Sequence, residues 1–415
     1  MSASLFSALF LIALLLSTLL KLWLARRHLA HIAANRSDVP PAFREKIALP
    51  EHQKAADYTS AKTRFSMLET LFDAIVLLAF TLGGGIQWLA GLWQPALSSP
   101  IAQGMAIIAS VSVLSGLLGT PFELYRTFVI EQRFGFNKMT LALYLADALK
   151  HLLLGAAFGL PLLYGVLWLM ERMGGNWWLY VWCVWIAFTL LLLFIYPSFI
   201  APLFNKFAPM QDEGLKARIE ALLQKCGFAA SGLFVMDGSK RSSHGNAYFT
   251  GFGKTKRIVF FDTLLARLTP NEIEAVLAHE LGHFKLRHVM QRIAMTLLMS
   301  LAFLWLLGQL AQAGWFYAGL GVSTPSTALA LLLFFMVLPV FSFLLHPLTS
   351  AWSRKHEFEA DAYAAQQTAA RELVSALVKM YQDNAATLTP DPLYSAFYDS
   401  HPPAPARISR LQSMS

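Results

Sequence analysis

The sequence predicts a mainly α-helical, polytopic membrane protein with seven transmembrane helices and a cytoplasmic portion that carries a small β-hairpin or sheet. Three observations support that expectation. Apolar residues make up 56% of the 415-residue chain and charged residues 14%, against about 45–50% and about 25% in soluble domains. Seven stretches have the length and apolarity of a bilayer-crossing helix, which needs about 20 such residues. Lysine and arginine gather in alternate connections between those stretches.

The stretches run over residues 4–24, 66–93, 101–121, 143–170, 176–200, 290–313 and 326–349. The first lacks a basic start and a small-x-small cleavage site, and Arg26 and Arg27 follow it, so it reads as a retained helix rather than a leader peptide. Segment 25–65 holds Arg26, Arg27, Arg36, Arg44, Lys46, Lys54, Lys62 and Arg64, and segment 122–142 holds Arg126, Arg133 and Lys138. Segments 94–100 and 314–325 carry no charge, and 171–175 carries only Glu171 and Arg172. The positive-inside rule makes the basic segments cytoplasmic, with the N-terminus outside and the C-terminus inside. An odd number of spans satisfies that arrangement. The net charge of +8 has the same origin. With no aromatic-interleaved basic stripe, the charge does not read as nucleic-acid binding.

Cys183 lies in an apolar run and Cys226 in a polar one, so no disulfide is expected and the polar portion reads as facing a reducing compartment. The chain divides into 1–202 with the first five spans, a polar segment 203–289, spans six and seven over 290–349, and a polar C-terminal segment 350–415. The two polar segments fall on one side of the bilayer and must meet if they build one site.

Within 203–289, Thr269, Pro270 and Glu272 form a capping box with proline at the first helical position. Ile273, Val276, Leu277, Leu281 and Phe284 then recur at helical spacing. His279 and His283 are four apart and share a face away from that stripe, a spacing at which two imidazoles can bind one Zn²⁺. Glu280, beside them, can take a proton from an activated water and pass it to the leaving amine. A catalytic zinc has three protein ligands. Glu357 is the expected third, on a helix that follows span seven, with Asp361 four residues on and positioned to orient a ligand histidine. His356 and Glu359 compete for the ligand role, Glu359 pointing roughly opposite to Glu357. His244, His288 and His346 are weaker candidates.

Residues 246–252 and 257–262, joined by a tight turn at 253–256, read as two strands. An edge there could pair with an extended peptide, or the pair could be an ordinary hairpin. His401 precedes two prolines on a rigid turn. A donor beside the metal would stabilise charge on the attacked carbonyl, although by residue type a surface histidine is the commoner case. A metal-binding transporter or channel is the competing class, with Asp147, Lys150 and His151 in span four as its functional residues. A non-catalytic scaffold has no need of Glu280.

Several blocks, in order, resemble the type I CAAX prenyl endopeptidases, integral-membrane zinc proteases. They are Ile130–Lys138, Tyr196–Lys206, Asn246–Phe249 through Phe261–Leu265, His279–His283, Glu357–Asp361, and His401–Pro403 to Arg407. The resemblance implies seven helices around an intramembrane chamber, with a zincin-like, gluzincin-type metalloprotease domain at its cytoplasmic end. It implies one zinc ion held by His279, His283 and Glu357, with Glu280 as catalyst. Asn246 would bind substrate backbone, His401 would stabilise the tetrahedral intermediate, and Asp361 and Arg407 would support the ligands. The family removes the last three residues from a prenylated C-terminus. This chain is shorter than eukaryotic members, which suggests a bacterial relative in the inner membrane. Its expected partners are the lipid bilayer and a peptide or protein substrate, prenylated or not, and turnover of membrane or misfolded proteins stays open beside C-terminal processing.

Overall fold

Most of the spans begin where a hydroxyl can close the first helical turn. The computed structural model describes residues 1–250 and 257–414. In it Ser2, Ser99, Thr140 and Ser326 cap α1 (Ala3–Asn35), α4 (Pro100–Tyr125), α5 (Leu141–Arg172) and α10 (Thr327–Ser342), each accepting a backbone N–H three residues on. Between α1 and α4 lie α2 (Leu49–Phe80) and α3 (Gly85–Ala96). α6 (Trp177–Ile195) follows α5, and α9 (His288–Leu310) precedes α10. Among the described residues six helices are long and apolar enough to cross a membrane, and α2 with α3 makes a seventh span bent by 45°.

That bend corrects the expectation of one helix over 66–93. Gly84 turns the chain with φ +79°, and a Cβ on Gly83 would lie 2.7 Å from the Ala79 carbonyl oxygen, so the Gly83–Gly85 run permits a break that other residues would resist.

The last span is the central one. Its most apolar window is 44% buried within the protein, against 6–22% for the other unbroken spans. α10 packs on α1, α4, α5 and α9 and then runs through a 3₁₀ turn, Phe343–Leu345, into α11 (His346–Gln367). The whole helical rod spans Thr327–Gln367.

The polar segments share one core. Leu215, Ile219 and Leu222 of α7 (Glu213–Lys225) pack with Ile273 and Leu277 of α8 (Pro270–Lys285) and with Leu373 and Leu377 of α12 (Ala370–Asp383). α13 (Pro392–Tyr398) and α14 (Ala404–Gln412) complete the C-terminal portion, and Phe43 and Ile47 of the basic loop also enter this core. The expected hairpin is half of a larger sheet. β1 (Phe207–Pro209) pairs antiparallel with β2 (Gly232–Met236), which runs parallel to β4 (Arg257–Phe261), which pairs antiparallel with β3 (Ala247–Thr250). The order β1-β2-β4-β3 leaves β3 at the edge. β4 lies inside the sheet, and its consecutive buried residues Ile258, Val259 and Phe260 fit that position. The turn expected at 253–256 lies outside the described residues. Both cysteines are free.

The charged residues of span four belong to a clamp between membrane and soluble portions. Buried Asp147 accepts from Arg241 at 2.7 Å and from Lys150 at 3.4 Å, Lys150 also donates to the Leu203 carbonyl at 2.8 Å, and His151 stacks on Phe204. Replacing Asp147 with alanine leaves the mostly buried Arg241 without its carboxylate. Asp147→Ala is therefore expected to cost about 1–3 kcal/mol, measured as a lower unfolding midpoint in detergent, with Asp147→Asn closer to wild type.

Candidate metal centre

Helix α8 is fixed at its start. Thr269 N–H donates to Glu272 at 2.7 Å, and the buried Glu272 carboxylate also accepts from Ser375 Oγ and Lys379 Nζ, each at 2.7 Å. These bonds tie the first turn of α8 to α12. Two turns on, Gly282 lies against α11: a Cβ there would be 3.0 Å from Ala360 Cα and 3.2 Å from its carbonyl oxygen. A Cβ at this position would force its neighbours on α11 to give by a few tenths of an ångström, and beside this close approach His279 and His283 come up to Glu357.

The three side chains meet. His279 Nε2 is 3.5 Å from Glu357 Oε2 and His283 Nε2 is 3.3 Å from Glu357 Oε1. Each residue offers a ligand atom within 4.8 Å of the others. Ligands bound tetrahedrally to zinc at ~2.0–2.1 Å lie ~3.3–3.4 Å apart, so the spacing fits the ion. Glu357 is 3% exposed and its Oε2 has no hydrogen-bond partner. A buried carboxylate oxygen left unpaired is costly, and a divalent cation would satisfy it. Two imidazoles and a carboxylate are also a donor set that zinc accepts.

Asp361 and Arg407 are both buried. Asp361 Oδ1 accepts from His279 Nδ1 at 2.8 Å. Arg407 donates to both Asp361 oxygens, at 2.6 and 2.8 Å, and its Nη1 lies 3.8 Å from Glu357 Oε2. Burial opposes charge on His279, but the Asp361 and Glu357 carboxylates prevail and hold its pKa up at about 9. Burial pushes the Glu280 carboxyl up, and among the described residues no hydrogen bond or ion pair engages it.

His401 joins the cluster although 62% of its side chain is exposed: its Nε2 lies 3.5 Å from Glu357 Oε2. Asn246 is exposed at the start of β3, and its Oδ1 accepts from the Ala247 N–H at 2.8 Å. No hydrogen bond or ion pair among the described residues joins it to the cluster. His356 and Glu359 do not join the three. They form a second group with His288, and His288 is the residue that sequence reasoning undervalued. It follows Arg287, whose left-handed backbone (φ +59°) ends α8 and starts α9. Helical periodicity holds no sign of that turn. His244 contacts Asn384 and Glu131, and His346 is exposed beside Phe343.

Comparison with known proteins covers nearly the whole chain. A family model described as CAAX prenyl protease N-terminal, five membrane helices, matches residues 28–206, and one described as peptidase family M48 matches 209–415. CAAX prenyl protease 1 of Saccharomyces cerevisiae is 34% identical, with 92% of this chain and 90% of the relative covered. The CAAX prenyl protease 1 homolog of Homo sapiens is 31% identical, with 97% and 94% covered. The crystal structure of S. mikatae Ste24p superposes with a TM-score of 0.90 at 31% identity, covering 98% of each chain.

The closeness of α8 to α11 yields a prediction. Gly282→Ala adds a methyl group where the backbones touch, at an expected cost of about 1–3 kcal/mol, and pushes the histidines from Glu357. Metal content by elemental analysis should fall well below one ion per chain, while helical content by circular dichroism is kept.

Proposed function

The chain belongs to peptidase family M48 as an integral-membrane zinc metalloprotease, and on that premise we propose that it cleaves lipid-bearing, membrane-held polypeptides near their C-terminus from the cytoplasmic side. The observation that carries the substrate class is an apolar cavity of about 680 Å³ among α5, α6, α9, α10 and α11, walled by side chains such as Leu162, Trp185, Met299, Phe303 and Phe335. Its volume suits a small-ligand site. Trp352 and Ser353 at its end stand one helical turn before Glu357. A prenyl chain there would leave the adjoining peptide at the metal centre. A polar cavity of about 560 Å³, lined by Lys62, Arg126, Tyr381 and His401 among others, offers a wet path for the released peptide.

Zinc held by His279, His283 and Glu357 would supply Lewis-acid activation of a water and of the scissile carbonyl. Glu280 is the general base: it takes the proton of the attacking water and returns it to the departing amide nitrogen. His401 Nε2–H donates to the carbonyl oxygen as negative charge builds there. Asp361 holds the ring of His279, and Arg407 holds Asp361. Asn246 and the free edge of β3 bind substrate backbone, which places little demand on side chains.

In this reading residues 1–202 and 290–349 supply the membrane portion, and 203–289 and 350–415 supply the peptidase. The orientation is supported by the packing of the basic loop on the C-terminal segment, through Arg27 to Asp391 at 2.8 Å and Gln382 to Glu51 at 2.7 Å. Loop and metal centre therefore face the same side, the cytoplasmic one by the charge rule.

Purified protein offered a prenylated peptide and its unmodified counterpart should cleave the first at lower KM. A chelator should abolish both reactions and zinc should restore them. Equal KM values would remove lipid recognition, and cleavage that resists the chelator would remove the zinc mechanism. Glu280→Gln should keep zinc and the unfolding midpoint yet lose at least ~10²-fold in kcat. Met299→Trp, which fills the apolar cavity, should raise KM for the prenylated peptide alone.

A further inference from the structure

The two ligand histidines of α8 are supported differently. His279 Nδ1 meets a carboxylate directly, at Asp361. His283 Nδ1 meets another imidazole, Nδ1 of His288, at 3.0 Å. Two nitrogens at that distance bond only if one carries the proton and the other a lone pair. The far side of the ring decides which. His288 Nε2 lies 3.0 Å from Glu359 Oε2, and an ionised carboxylate only accepts, so Nε2 bears the proton of a neutral His288. Its Nδ1 is then the acceptor, and His283 Nδ1–H the donor. That leaves His283 Nε2, 3.3 Å from Glu357 Oε1, with the lone pair a metal needs. One tautomer assignment satisfies every ring nitrogen of His283 and His288.

We infer that His288 and Glu359 form a relay that locks the tautomer and ring orientation of His283, so that both are positioning residues for the metal centre. The inference rests on the metal-binding role given above to His279, His283 and Glu357. It treats the second support as a carboxylate acting through an imidazole, where the first acts directly.

The surroundings hold His288 for this task. The left-handed turn at Arg287 brings the first residue of α9 back beside the last turn of α8. His288 is 1% exposed, and its ring stacks on His356 at 4.0 Å with planes 5° apart. His356 is itself held by Gln291 Oε1 at 3.1 Å and packed by Trp352. Glu359 leaves α11 on a different side from Glu357, as expected, and that direction leads to His288.

The same three residues could be read as a second cation site, since their ligand atoms also lie within 4.8 Å of one another. Two features favour the relay. Parallel stacked imidazoles direct their lone pairs side by side and not to a common point, and both nitrogens of His288 already have partners.

The full-length protein in detergent, loaded with zinc, is titrated with a chelator. His288→Leu should lose zinc at roughly 10–100-fold lower chelator concentration than wild type, and its cobalt-substituted form should show shifted visible absorption bands. His288→Asn, whose Oδ1 stands where Nδ1 was, should recover most of the retention. Glu359→Ala should weaken retention in the same direction, and because Glu359 is partly exposed it serves if His288→Leu does not fold. Wild-type retention and an unchanged cobalt spectrum in a folded His288→Leu protein overturn the relay while the peptidase reading stands. Two zinc ions per wild-type chain, falling to one in His356→Ala, would also overturn it in favour of a second metal. A wild-type protein that takes up no zinc at all overturns the metal reading and the relay with it.

Discussion

Everything in the metal centre depends on two helix backbones touching at Gly282 and Ala360. The imidazoles from one helix and the carboxylate from the other converge beside that close approach, where no Cβ stands between the backbones. The neighbouring devices serve that contact. The Thr269–Glu272 cap and its bonds to Ser375 and Lys379 fix where α8 begins. The Arg407–Asp361 pair fixes the turn of α11 beyond Glu357.

The electrostatics follow from the same closeness. Three acidic side chains two residues apart, Glu357, Glu359 and Asp361, face three different needs. Glu357 points at the two Nε2 atoms, Asp361 supports His279 from behind, and Glu359 meets His288. A helix turns about 100° per residue, so residues two apart cannot share a face while residues four apart nearly do. Arg407 is buried beside Asp361 and Glu357, which hold its pKa up against burial, and it offsets part of the repulsion between those two carboxylates. The surplus of negative charge over Arg407 is what a divalent cation would neutralise.

Much of this was legible in the sequence, for identifiable reasons. The spans announce themselves by length and apolarity, the cap of α8 by Thr269, Pro270 and Glu272, and the ligand spacing by the four-residue repeat. Asn246 and Arg407 could be assigned roles only through family resemblance, and His401 only weakly without it, because single polar residues carry no periodic signal. Three features stayed hidden. The break at Gly83–Gly85 lies inside an apolar run that reads as one helix. The strands β1 and β2 have three and five residues, too few for alternation to show, so only the β3–β4 part of the small sheet could be placed along the chain. His288 follows the left-handed residue Arg287, a conformation uncommon outside glycine, and its ring contacts could not be extrapolated from either flanking helix.

The rod from Thr327 to Gln367 ties chemistry to lipid. At about 1.5 Å per residue, Glu357 stands a fixed distance along one stiff element whose other end is the most enclosed span of the protein. In the proposed reading Glu357 is a metal ligand, so the metal would sit at a set place along that rod. Under that reading a scissile bond would have to be delivered to a set height relative to the bilayer, and selection would operate on where a bond hangs from its membrane attachment more than on which side chains flank it.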